Sequence, residues 1–114
     1  MTVRRDLLIV KNATFRKRYR WYANEALVDM TGYTATMHIR EKFGDETPVL
    51  VLTEGDGITL DDEGLIEIYI SDEDTSDLSE FDDGVYDLLL TDTDGFTRPM
   101  FQGSVSVIQT VTRA

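Results

Sequence analysis

Residues 81–90 read FDDGVYDLLL. Two acids and a glycine lead into a tyrosine, and from there the chain alternates. Tyr86, Leu88 and Leu90 share one side; Val85, Asp87 and Leu89 share the other. Alternation of period two is the pattern of a strand that offers one face to a core. A tyrosine near the head of such a strand, two residues after a glycine, either binds something or fastens a loop. The ring is core material, but its hydroxyl would be stranded without a partner, at a cost of about 1–3 kcal/mol.

Working outward, period two recurs. In Phe15–Trp21 the odd positions hold Phe15, Lys17, Tyr19 and Trp21, and the even positions hold Arg16, Arg18 and Arg20. Ala35, Met37 and Ile39 alternate with Thr34, Thr36, His38 and Arg40; Ile66, Ile68 and Ile70 alternate with Glu67 and Tyr69; Val105 and Val107 alternate with Ser104 and Ser106. Val49–Leu52 is a short apolar run. Turn signals rich in Gly, Asp and Asn separate these segments, at 24–25, 31–32, 43–45, 54–57, 61–64 and 92–95. The pattern predicts an all-β, antiparallel sandwich of about seven to nine strands.

One segment breaks the alternation. Ser71 is a good N-cap, and Asp72, Glu73 and Asp74 suit the positive end of a helix. This predicts a short helical crossover near residues 72–78, with Leu78 or Phe81 entering the core. A strand ending at Ile70, that crossover, and Asp82, Gly84 and Tyr86 opening the next strand have the layout of a tyrosine corner. There the tyrosine of the sixth immunoglobulin strand bonds backbone a few residues upstream. The antibody version is only half kept: Leu88 stands where a cysteine is placed, and Trp21 closes the first long strand as core or core rim. An immunoglobulin-like sandwich held by an apolar core is the expected fold.

The chain has 114 residues, the length of one domain spanning 1–114, and no cysteine. That excludes a disulfide framework and thiolate metal sites and fits folding in a reducing compartment. Leu7–Val10 is too short for a signal-peptide core or a membrane span, so synthesis in the cytoplasm and no membrane partner are expected. Net charge is −11, divided unevenly: residues 1–42 carry +5 and residues 43–114 carry −16. An acidic whole argues against nucleic acid as a partner. The asymmetry suggests opposite charges meeting, within the fold or between copies.

No catalytic or metal constellation is legible. His38 is the only histidine and points outward on its strand; no serine has an activating neighbour; there is no phosphate-cradling glycine loop. Asp92, Asp94 and Gly95 stand at calcium-loop spacing, but Leu90 and Phe101 occupy the two key carboxylate positions. No cofactor is expected.

The stretches ATFRKRYRW, LVDMTGYTATMHIRE, GITLDDEGLIEIYIS and GVYDLLLTDTDGFTRPMFQGSVSV, from about Leu7 to Val111, resemble small immunoglobulin-like structural proteins of tailed bacteriophages. In the second stretch Met30 stands for the usual leucine. Each motif has a structural reason as well: Thr31-Gly32-Tyr33 is a turn into a strand, Gly103 suits a bulge, and Pro99 marks an edge or a break. The resemblance implies a non-enzymatic virion protein, an adaptor in the tail, baseplate or fibre-attachment region, or alternatively a head decoration protein. In related baseplate proteins a similar domain anchors a longer receptor-binding chain. Ending at residue 114, this chain is expected to leave that part to another polypeptide. Its partners would then be other virion proteins and further copies of itself.

Arg16, Arg18 and Arg20 form the candidate interface, about 7 Å apart on one strand face. Either acids on a neighbouring strand pair with them, or they dock on an acidic surface of another virion protein or copy, with the 61–94 region as the complement in a ring. Asp6–Val10 is short and detached enough for exchange between subunits. Two further readings remain open: a carbohydrate- or receptor-binding sandwich, for which Tyr22, Tyr33 and Tyr69 are the scattered candidates, and a cellular interaction domain.

Overall fold

A computed structural model describes residues 3–110; Val111, at the end of the span quoted above, lies outside them. The strands are β1 (Val3–Arg4), β2 (Leu7–Val10), β3 (Phe15–Arg20), β4 (Tyr22–Ala23), β5 (Ala26–Leu27), β6 (Thr34–Arg40), β7 (Leu50–Glu54), β8 (Gly57–Leu60), β9 (Leu65–Ile70), β10 (Phe81–Thr91) and β11 (Thr97–Ile108). The one helix among the described residues is α1 (Asp72–Ser76).

The hydrogen-bonded path runs β1-β11-β10-β6-β7-β8-β9-β3, with β2 also on β11. It folds into two layers. Strands β3, β9 and β8 form one, and β11, β10, β6 and β7 form the other. This is the division of an immunoglobulin sandwich, B-E-D against G-F-C with an added edge strand. The Tyr19 and Phe101 rings, one from each layer, meet at 4.5 Å between centroids. Alternation does what period two requires. Met37, Ile39, Ile66, Ile68, Leu88, Val105 and Val107 point inward and are almost wholly buried.

The pairing is not antiparallel throughout. The first strand is split at Arg5–Asp6, and both halves run parallel to β11. No hairpin joins them to β11, so no turn dictates direction. The bulge also falls elsewhere than expected. Leu88 pairs with Phe101 and Leu89 with Pro99, so the extra residue is Met100, while Gly103 sits in regular register opposite Tyr86. Pro99 explains this: it has no N–H for the ladder, and it lies beyond the point where β1 begins to cover β11. Gly103 is small for a different reason, because a Cβ there would overlap the Arg5 carbonyl oxygen.

Helix α1 forms as its sequence dictates. Ser71 Oγ accepts from Asp74 N–H at 3.2 Å, and three acids occupy the first turn. Thr75 Oγ1 donates to Ala13 O at 2.8 Å, fastening the crossover to the β2–β3 turn, and Leu78 enters the core.

Tyr86 is 4% exposed, and its hydroxyl donates to the Arg5 carbonyl at 2.6 Å. It is a fastener, but the corner as expected is corrected. The partner is not upstream backbone in the crossover; it is the split of the first strand, 81 residues away in sequence. Gly103, opposite Tyr86, lets Arg5 pass close overhead, which brings its carbonyl within reach of the hydroxyl. Asp82 takes no part through its side chain; its carbonyl accepts from Ser106 Oγ at 3.4 Å. Gly84 leaves room for the Phe81 ring at a register shift between Phe81 and Gly84.

Candidate functional site

The arginine face of β3 lies against β9, and the acids come from β9 (Glu67) and from the β8–β9 turn (Asp61). Arg18 Nε bonds Glu67 Oε2 at 2.6 Å, and Arg16 Nε stands 3.5 Å from the same oxygen. Arg20 reaches Asp61 at 3.6 Å and donates to the Glu63 carbonyl at 3.0 Å. Arg16 also sits 5.7 Å over the Tyr69 ring. The intramolecular alternative therefore describes these three side chains. They remain half exposed, and such pairs contribute about 0–1 kcal/mol each.

The carboxylates respond to this setting. The hydrogen bond from Arg18 holds Glu67 below the usual carboxylate range, against desolvation that pushes the other way. Asp61 is lowered chiefly by the Leu65 N–H, with the Glu63 N–H and Arg20 adding to it. A depressed folded-state pKa contributes stability above the unfolded value, lost as pH falls through the folded one. Glu67→Gln should therefore destabilise at pH 7. Its deficit should shrink as pH drops below about 4.5. Parallel denaturant titrations of both proteins from pH 7 to pH 3 measure this, and a deficit that stayed constant would show that the charge of Glu67 is immaterial.

Beyond Arg18 the two layers part at their edge and leave a cleft of about 740 Å³. Its walls carry Arg5, Arg18, Arg20 and Arg98 with Trp21 and Tyr22; Ile66, Met100 and Phe101 also line it, and all three are buried in the core. Each wall residue is placed by local chemistry. Arg5 stands at the split that Gly103 and Tyr86 hold down. Trp21 leaves β3 with its N–H donated to Gly64 O at 2.8 Å, and a Cβ on Gly64 would meet the Trp21 carbonyl at 2.6 Å. Tyr22 is raised on the β4–β5 hairpin, whose Asn24 and Glu25 have φ of 53° and 67°, as a two-residue type I′ turn requires. Its ring is 62% exposed.

Arg98 is the feature that sequence reasoning missed. Its guanidinium lies 5.6 Å from the Trp21 ring centroid and 5.8 Å from that of Phe96. A guanidinium stacked on an indole is held flat, with its N–H edge free to form two parallel bonds to a carboxylate. Among the described residues neither Arg98 nor Arg5 forms an ion pair. Asp92, on the adjacent turn, is not the missing partner; its Oδ1 accepts the N–H groups of Asp94 and Phe96 at 2.9 and 3.0 Å. A signal was present: Arg98 is one of only two cations after residue 42. Arg16, by contrast, does not line the cleft.

A second hollow, about 450 Å³, lies on the outer face of β6, β10 and β11. Two cations, Arg4 and Arg40, and two acids, Asp45 and Asp87, line it, so its charges balance. His38 lies opposite Asp87 in the β6–β10 register. Among the described residues no group of three His, Cys, Asp or Glu side chains is placed to hold a metal ion. Tyr33 is partly buried against the core, and Tyr69 lies beside Arg16, so the tyrosines named from sequence form no common platform.

No protein-family model and no curated protein matches the chain. Solved structures similar in shape include the following two. One is the parallel homodimer of the extracellular domains of the voltage-gated sodium channel beta4 subunit, 12% identical over 95% of this chain and 93% of that one, with a TM-score of 0.49. The other comes from photo-crosslinking analyses of the cell-adhesive interactions of voltage-gated sodium channel beta subunits, 13% identical over 91% of both chains, with a TM-score of 0.49.

Proposed function

We propose that this chain is a non-enzymatic structural protein of a tailed bacteriophage particle, an adaptor in the tail, baseplate or fibre-attachment region that docks an acidic neighbour in its edge cleft. The motif resemblance set out above supports the phage setting. One observation carries the docking role: in a chain of net charge −11, Arg98 is braced between two aromatic rings beside Arg5, and neither has a carboxylate partner among the described residues. A guanidinium held against aromatic rings, with its N–H edge free, is a receptor for a carboxylate. The same arrangement weighs against a glycan platform, because Arg98 covers a face of the Trp21 ring that a sugar would stack on. A head decoration protein would use the same cleft on a different neighbour, and imaging of labelled particles separates the two positions.

The test is incorporation. Arg98→Glu should leave the melting transition and the far-UV spectrum close to those of the parent and lower the copy number per particle by at least tenfold. Particles carrying the parental number of Arg98→Glu copies would defeat the docking role.

A further inference from the structure

The acids of this chain divide into two groups. Asp61 and Glu67 are engaged by Arg20, Arg16 and Arg18. The seven between residues 72 and 83 (Asp72, Glu73, Asp74, Asp77, Glu80, Asp82 and Asp83) are exposed, no cation stands among them in sequence, and none forms an ion pair among the described residues. This crossover is bound to the β2–β3 turn by Thr75 and by Ser76 Oγ, which lies 2.7 Å from Asn12 Oδ1. It therefore sits at the Phe15 end of β3. The cleft starts at Arg18 and continues past Arg20 to Ala23. At about 3.3 Å per residue the near wall of the cleft, Arg18, is roughly 10 Å along β3 from Phe15, and Trp21, on whose ring Arg98 lies, is roughly 20 Å away. Within one copy the acids of the crossover and Arg98 lie at opposite ends of β3 and do not pair.

We propose that the chain assembles head to tail, the acidic crossover of one copy, Asp77 and Glu80 foremost, seated against Arg5 and Arg98 in the cleft of the next. This rests on the reading of the cleft as a docking surface and names its occupant. The two contact surfaces differ, so the interface is heterologous and repeats into a ring or an open filament. Net charge opposes approach at long range. At physiological salt, charges more than about 8 Å apart are largely screened while contacts in the cleft persist. Assembly is strongest there and is lost near 1 M salt, where screening reaches about 3 Å.

Sedimentation of the purified chain at 0.15 M salt tests this. The parent should grow in mass with concentration. Arg98→Glu should be monomeric, and so should Asp77→Lys/Glu80→Lys, whose changes lie on exposed positions that the fold does not use. An equimolar mixture of the two variants should give dimers and nothing larger, since one intact cleft and one intact crossover remain. Arg98→Lys keeps the charge but not the flat fork and should weaken association roughly tenfold. A parent that stays monomeric at every concentration, or Arg98→Glu assembling as the parent does, overturns the proposal. If the parent is monomeric and Arg98→Glu is still lost from particles, the occupant is another protein, and the docking role stands without self-assembly.

Discussion

Gly103→Ala is expected to cost about 2–5 kcal/mol, most of it through a segment almost a hundred residues away in sequence. The new methyl would overlap the Arg5 carbonyl oxygen and stand 2.9 Å from Asp6 Oδ1. Both neighbours belong to the split of the first strand, so relief means lifting that strand from β11. Three bonds then go together: Tyr86 hydroxyl to Arg5 O at 2.6 Å, Arg5 N–H to Gln102 O at 2.9 Å, and Ser104 N–H to Asp6 Oδ1 at 3.0 Å. The loss leaves the Tyr86 hydroxyl in the core without its acceptor. Denaturant titration measures the cost, and trypsin should cut after Arg4 and Arg5 faster than in the parent. Tyr86→Phe breaks the same contact, so the double variant should lose less than the sum of the singles. Full additivity would show that Tyr86 and Gly103 do not act through one latch.

Leu88→Ala is expected to cost about 2–5 kcal/mol and to lower the melting temperature on the order of 10 °C. Leu88 has no exposed surface and pairs with Met37 on one side and Phe101 on the other, at the centre of the G-F-C layer. Antibody domains place a cysteine of the inter-sheet disulfide here. With no cysteine in the chain, no disulfide ties the two layers at this position, and apolar packing takes its place. Truncation leaves a cavity in a close-packed interior, and the walls relax only in part. Val85→Ala, three residues earlier on the outward face, serves as the control and should change stability by less than about 0.5 kcal/mol. Equal losses at both positions would mean that the inward face of β10 does not bear the packing assigned to it.

The same latch shows how a correct local inference stops short. Burial of the Tyr86 ring and the need for a hydroxyl partner follow from the residue type and the alternation around it. Which carbonyl answers depends on a contact 81 residues away, and period two says nothing about it. The β3 arginines behave likewise. Their shared face is a property of the strand, while the arrival of Glu67 opposite Arg18 is a property of β3–β9 pairing.

By itself, then, the amino-acid order determined the long alternating strands β3, β6, β9, β10 and β11, the inward residues on them, the acidic helical crossover with its Ser71 cap, and the two-layer arrangement they must adopt. These depend on side-chain period and local backbone bonding, which act within a few residues. Tertiary structure alone decided the split first strand parallel to β11, the bulge at Met100, and the union of Arg5, Trp21 and Arg98 around one cleft. Each of those rests on segments far apart in the chain that meet only when the layers close, and no local pattern encodes which distant group will be there.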